Sequence, residues 1–136
     1  MMKIYDKLKQ IENEFNGNEY FEHGVSFCIG FDALDINIPL KKAVKNVLVE
    51  YKAICETEDI KLEKISDFKS DICALFLEWH LDVISIDVIE ALDTNVKVYK
   101  FSEDTKVGCS YGNINSVFRI IECENEYILV ELYVVD

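Results

Sequence analysis

The chain has 136 residues, half of them hydrophobic, with 26 Asp and Glu against 14 Lys and Arg and a net charge of −12. That length and apolar content suit one domain over residues 1–136 with a real core, and they exclude disorder. The surplus negative charge excludes nucleic acid and anionic membrane surfaces as natural partners and draws basic proteins inward.

The opening MMKIYDKLKQ has no apolar signal core, and no run approaches the ~18 apolar residues of a membrane span. Five scattered cysteines (Cys28, Cys55, Cys73, Cys109, Cys123) without a CxxC pair point to reduced thiols. The expectation is a cytoplasmic protein whose cysteines are mostly small buried hydrophobes.

Ile4, Tyr5, Leu8, Ile11 and Phe15 recur at helical spacing, with Lys7, Lys9, Glu12 and Glu14 opposite. This predicts a helix over 3–15, stopped by Asn16-Gly17-Asn18. After the polar link EYFEHG, the alternation in GVSFCIGF predicts a strand. Pro39 then opens a helix whose stripe runs through Leu40, Ala43, Val44, Val47, Leu48, Tyr51, Ile54 and Cys55. Lys41, Lys42, Lys45 and Lys52 form its other face. The charged link ETEDIKLEK reads as exposed.

Phe68, Ile72, Leu75, Phe76 and Trp79 fit a helix capped by Ser66 and opened by Asp67. Leu77, Trp79, Leu81 and Val83 also alternate as a strand would. The helical match is longer and has a start signal, so a helix is predicted through this stretch. Ser85 caps a further short helix through Ile89 and Leu92. After Thr94, the segments NVKVYKF, TKVGCSYG, SVFRIIEC and YILVELYVV read as an antiparallel meander. Early helices and late strands give an α+β fold, with three to four helices covering one face of the sheet.

Arg119, the only arginine, stands in the apolar run SVFRII. A two-residue hairpin loop near Glu124-Asn125-Glu126 places it among Ile121, Ile128, Val130 and Leu132, where a charge is costly. A three-residue loop sets it across from Glu131 and gathers Phe118, Ile120, Ile128, Val130, Leu132 and Val134 on one face. The second register is expected, with Arg119 a structural residue, and Glu131→Lys is expected to destabilise by like-charge opposition.

No pattern carries catalysis. The histidines, His23 and His80, do not stand at zinc-knuckle spacing from any cysteine. Counted from Asp32 or from Asp35, FDALDIN lacks the glycine and glutamate of a calcium loop, so it reads as a turn before the Pro39 helix. GCSYGN lacks phosphate-loop spacing and reads as a tight turn.

The amphipathic helix after Pro39 and the closing hairpin FRIIECENEYILVELYVVD, set in a small acidic α+β chain, resemble the immunity proteins of bacterial polymorphic and contact-dependent growth inhibition toxin systems. The resemblance implies a non-enzymatic protein without cofactor that binds one cognate toxin domain and blocks its active site. Such toxins are frequently nucleases with basic clefts, which an acidic surface can enter. The candidate contact residues are Glu19, Tyr20 and Glu22 in EYFEHG, Asp32 and Asp35, and Glu122, Glu124 and Glu126 at the hairpin tip. One competing class is an enzyme or small-molecule-binding domain with the cysteines, His80 and Trp79 lining a pocket. Another is an acidic DNA-mimic inhibitor of a nucleic-acid enzyme.

Overall fold

The first apolar stripe winds into helix α1, Ile4–Phe15, which buries Ile4, Leu8 and Phe15. The structure, a computed structural model, describes residues 2–15, 20–22 (backbone alone), 24–92 and 95–136. The expected stop at Asn16-Gly17-Asn18, with His23 and Thr94, lies outside the described residues. Strands β1 (Tyr20–Glu22) and β2 (Val25–Ala33) follow, then helix α2 (Leu40–Glu50) and the short strand β3 (Leu62–Lys64). Helix α3 (Phe68–Glu78) leads through a 3-10 turn, Asp82–Ile84, into helix α4 (Ser85–Ala91). Strands β4 (Lys97–Phe101), β5 (Asn115–Cys123) and β6 (Glu126–Val135) complete the fold.

Among the described residues the sheet has six strands in the order β1-β2-β6-β5-β4-β3, and every neighbouring pair is antiparallel. The fold is α+β, but its helices do not share one face. α1, α3 and α4 pack with Ile29, Phe31, Val98, Ile121, Ile128, Val130 and Leu132. α2 packs on the other side, with Phe118, Ile120 and Leu129. The reason lies in β5 and β6, where adjacent apolar residues point to opposite faces, so both faces need cover.

Local chemistry sets the helix ends. Pro39 precedes α2 as its cap residue, and its carbonyl accepts from Ala43 N at 3.0 Å. Instead of continuing to Cys55, α2 ends at Glu50, and the chain turns away at Lys52, which takes a φ of +62°. Ala53 N then bonds Leu48 O and Lys52 N bonds Val49 O, the paired contacts of a Schellman ending. α3 ends identically: His80 has φ +59°, Leu81 N bonds Phe76 O and His80 N bonds Leu77 O. Its start is capped by Asp67 and not Ser66, with Oδ1 accepting from Ser70 N at 3.2 Å. Ser85 does not cap the start of α4: it is the first residue of that helix, buried, and its hydroxyl donates to Asp82 O at 2.8 Å.

The link ETEDIKLEK is mostly exposed, as expected, but it buries Ile60 and its last three residues form β3 against β4. Two further expectations are corrected. TKVGCSYG is not a strand: its Gly108 and Tyr111 amides bond Ala53 O and Tyr51 O, irregular partners beyond α2. The closing hairpin turns through two residues, with Cys123 opposite Glu126 and Arg119 opposite Val130. Arg119 therefore faces the α1-α3-α4 side, where Asp71 of α3 supplies the counter-charge. Glu131 lies across from Phe118, so a lysine there would not oppose Arg119. The cysteines also differ from expectation, since Cys28 is buried while Cys55 and Cys73 are exposed. No helix among the described residues is long and apolar enough to cross a membrane.

Candidate functional site

Among the described residues β1 pairs with the first residues of β2, Val25 to Phe27. α1 covers the outer edge of β2 with side chains. Glu12 Oε1 accepts from the Phe31 amide at 2.7 Å, and Lys9 Nζ donates to Glu12 Oε2 at 2.7 Å and to Phe31 O at 3.4 Å. Glu12, expected on the polar side of its helix, is only 8% exposed. A helix thus satisfies backbone groups on that edge, as side-chain cover of a sheet edge does.

Beside this edge opens a cleft of about 450 Å³. Its walls carry the carboxylates of Glu12, Asp32, Glu50 and Glu131, three tyrosines (Tyr51, Tyr111, Tyr133), and Lys9. The Tyr51 hydroxyl donates to Asp32 Oδ2 at 2.8 Å. Burial first, and then this hydrogen bond, raises the Tyr51 phenol well above its ordinary range, so it stays a neutral donor. Glu131 is 7% exposed and accepts from Ser110 Oγ (3.0 Å), Asn113 Nδ2 (3.0 Å) and Ser116 Oγ (2.6 Å). It therefore pins the 102–114 loop to the sheet. Lys52 Nζ sits 5.1 Å from the centre of the Tyr111 ring, a cation–π contact that shows how this wall receives positive charge.

Among the described residues the cleft's lining contains neither histidine nor thiol. His80 instead packs edge-on against Phe27, with ring centres 4.6 Å apart. Among the described residues no cluster of three or more His, Cys, Asp or Glu is placed to hold a metal ion. What the arrangement offers chemically is carboxylate and phenol oxygens gathered on the walls of one cleft.

The expected contact residues fall in separate places. Glu19 lies outside the described residues. Tyr20 and Glu22 lie on the edge strand β1, opposite Phe27 and Val25. Asp32 belongs to the cleft. Asp35 is exposed in the loop after β2, where Oδ1 accepts from Asn37 N at 2.9 Å. This loop adjoins the hairpin tip, because Leu34 N bonds Tyr127 O and Ile36 shares a hollow with Glu122 and Glu124. At the tip, Glu124 is exposed. Glu122 accepts from the Tyr99 hydroxyl at 2.8 Å. Glu126 accepts from the amides of Ile4 (3.1 Å) and Tyr5 (2.9 Å), so it caps the N-terminus of α1.

The structure thus brings Asp35, Glu122, Glu124 and Glu126 to one end of the sheet and leaves β1 near the other. Sequence reasoning missed Glu12 and Glu131, whose burial no local pattern announces. It also missed an exposed apolar group on α3 and α4, although the absence of Lys and Arg from residues 70–96 was there to be read. No protein-family model matches the chain, and neither does any curated protein or solved structure.

Proposed function

We propose that this chain is a non-enzymatic binding protein that neutralises a cationic protein partner, in the manner of an immunity protein seated on a basic toxin domain. The observation that carries this is the unspent negative charge. Among the described residues Glu12, Asp71 and Asp104 stand in ion pairs, in a chain whose acids exceed its bases by twelve. Such a field steers a basic protein inward, at association rates towards ~10⁸ M⁻¹s⁻¹ at low salt.

The test begins with the protein encoded beside this chain's gene. If that neighbour ends in a basic domain, the two are mixed and binding is followed across ionic strength. A tight complex whose association slows steeply with salt supports the proposal, as does rescue of cells that express the basic domain. A neighbour that leaves this chain unbound at low salt sinks it.

The cleft favours a second reading, in which its carboxylates and tyrosines hold a small organic cation. Titration with agmatine or spermidine separates the two. Saturable binding lost in Asp32→Asn and Glu50→Gln favours the small molecule, and no binding leaves the protein partner.

A further inference from the structure

Three large aliphatic side chains stand in solvent on elements that pack against one another. Leu77 at the end of α3 is 64% exposed, Val83 in the 3-10 turn 75%, and Ile86 in the first turn of α4 58%. Val83 and Ile86, three residues apart, share a helical face. Cys73 and Ala74, also exposed, lie one helical turn before Leu77 and extend the apolar surface. The inward side of the same elements is complete without them: Phe76, Leu81, Ile84 and Val88 are buried in the core. Nothing in the core calls for aliphatic groups at these outward positions.

Around them stand Glu78, Asp82, Asp87 and Glu90, all exposed. No Lys or Arg occurs between Lys69 and Lys97, so this face carries acids with no basic residue of its own segment to balance them. Single exposed aliphatics are ordinary on a monomer. Three on adjoining elements within a charged border have the anatomy of a protein interface, with an apolar centre that sheds water and a rim that selects its partner.

We infer that this acid-bordered face is where the partner docks, and that the partner's surface has an aliphatic or aromatic centre flanked by Lys and Arg. The inference rests on the cationic-partner reading and specifies its location. A second copy of the chain does not fit, because a two-fold contact sets Glu78, Asp82, Asp87 and Glu90 against their own equivalents. Nucleic acid and anionic membrane are repelled by the same border.

The experiment uses the full chain and two synthetic helical peptides of equal positive charge. One has a Leu/Phe stripe between rows of Lys and Arg; the other has Ser in place of the stripe. Trp79, the only tryptophan, ends α3 two residues after Leu77 and reports binding by fluorescence. The striped peptide is expected to bind at least about tenfold more tightly than its partner. The triple variant Leu77→Ser, Val83→Ser, Ile86→Ser is expected to lose at least about tenfold in affinity with its melting temperature kept. If Asp35→Lys with Glu124→Lys abolishes binding while the triple variant retains it, this location is overturned and the cationic-partner reading stands. Equal binding of the two peptides overturns the apolar centre. Failure of both to bind at low salt overturns the location and the reading beneath it.

Discussion

Arg119 and Asp71, 48 residues apart in sequence, meet in a two-point ion pair between β5 and α3. Nε lies 2.9 Å from Oδ2, Nη2 lies 3.1 Å from Oδ1, and Nη1 donates to Phe118 O at 2.9 Å. The two side chains are 14% and 21% exposed, so both have given up most of their water. Removing one partner strands the other. Asp71→Ala is expected to cost about 2–3 kcal/mol in urea denaturation, with part of the loss from the first turn of α3. Arg119→Met combined with Asp71→Leu should recover most of it. Additive losses in the double-mutant cycle would mean the pair is not coupled.

Lys52 occupies the left-handed position of a Schellman ending that glycine usually fills. A side chain there costs roughly 1–2 kcal/mol, part of which glycine returns through its freer unfolded chain. Lys52→Gly is therefore expected to raise stability by about 0.5–1 kcal/mol, less whatever the contact with Tyr111 contributes. A lower melting temperature in this variant would show that the ring contact outweighs the strain.

The same positions explain much of what could and could not be read in advance. α1, α2 and α3 were legible because their apolar stripes are long, and β5 and β6 because their composition is plain. The end of α2 was not, since no glycine or proline marks it and the stripe runs on through Ile54. Arg119 was recognised as structural, yet the wrong register followed, because local reasoning priced the charge without knowing that α3 would bring Asp71. TKVGCSYG has strand composition, but its amides found partners beyond α2 and Glu131 tied the loop down. Of the candidate site, surplus charge was readable; which acids the fold consumes as caps and anchors was not.

Glu12 shields the outer edge of β2. Glu12→Ala leaves the Phe31 amide without its acceptor and should cost about 1–3 kcal/mol, while Glu12→Gln, which keeps an acceptor oxygen, costs less. The specific reporter is hydrogen exchange at Phe31, which accelerates in Glu12→Ala. Light scattering should also show more self-association. Unchanged exchange at Phe31 would remove the role assigned to Glu12.

Tyr99 is the clearest pH probe. Burial, and then the hydrogen bond to Glu122, push its phenol up to about 12 from an ordinary value of 10.0. Above pH 10 the unfolded chain gives up this proton while the folded protein keeps it. The contribution is thus whole below pH 10 and disappears as pH climbs towards 12. Tyr51, raised for the same kinds of cause, adds to the fall. Tyr99→Phe should flatten the decline of melting temperature across that window. An identical decline in the variant would show that the phenol does not drive it.

The position of β6 between β2 and β5 has a consequence in time. Ile29 is paired with Leu132, so β2 must wait for a neighbour that the ribosome makes about a hundred residues later. Until then its inner edge is open and Phe31 has no Val130 to face. The newly made chain passes through a period in which β1 and β2 lack the strand that joins them to the rest of the sheet.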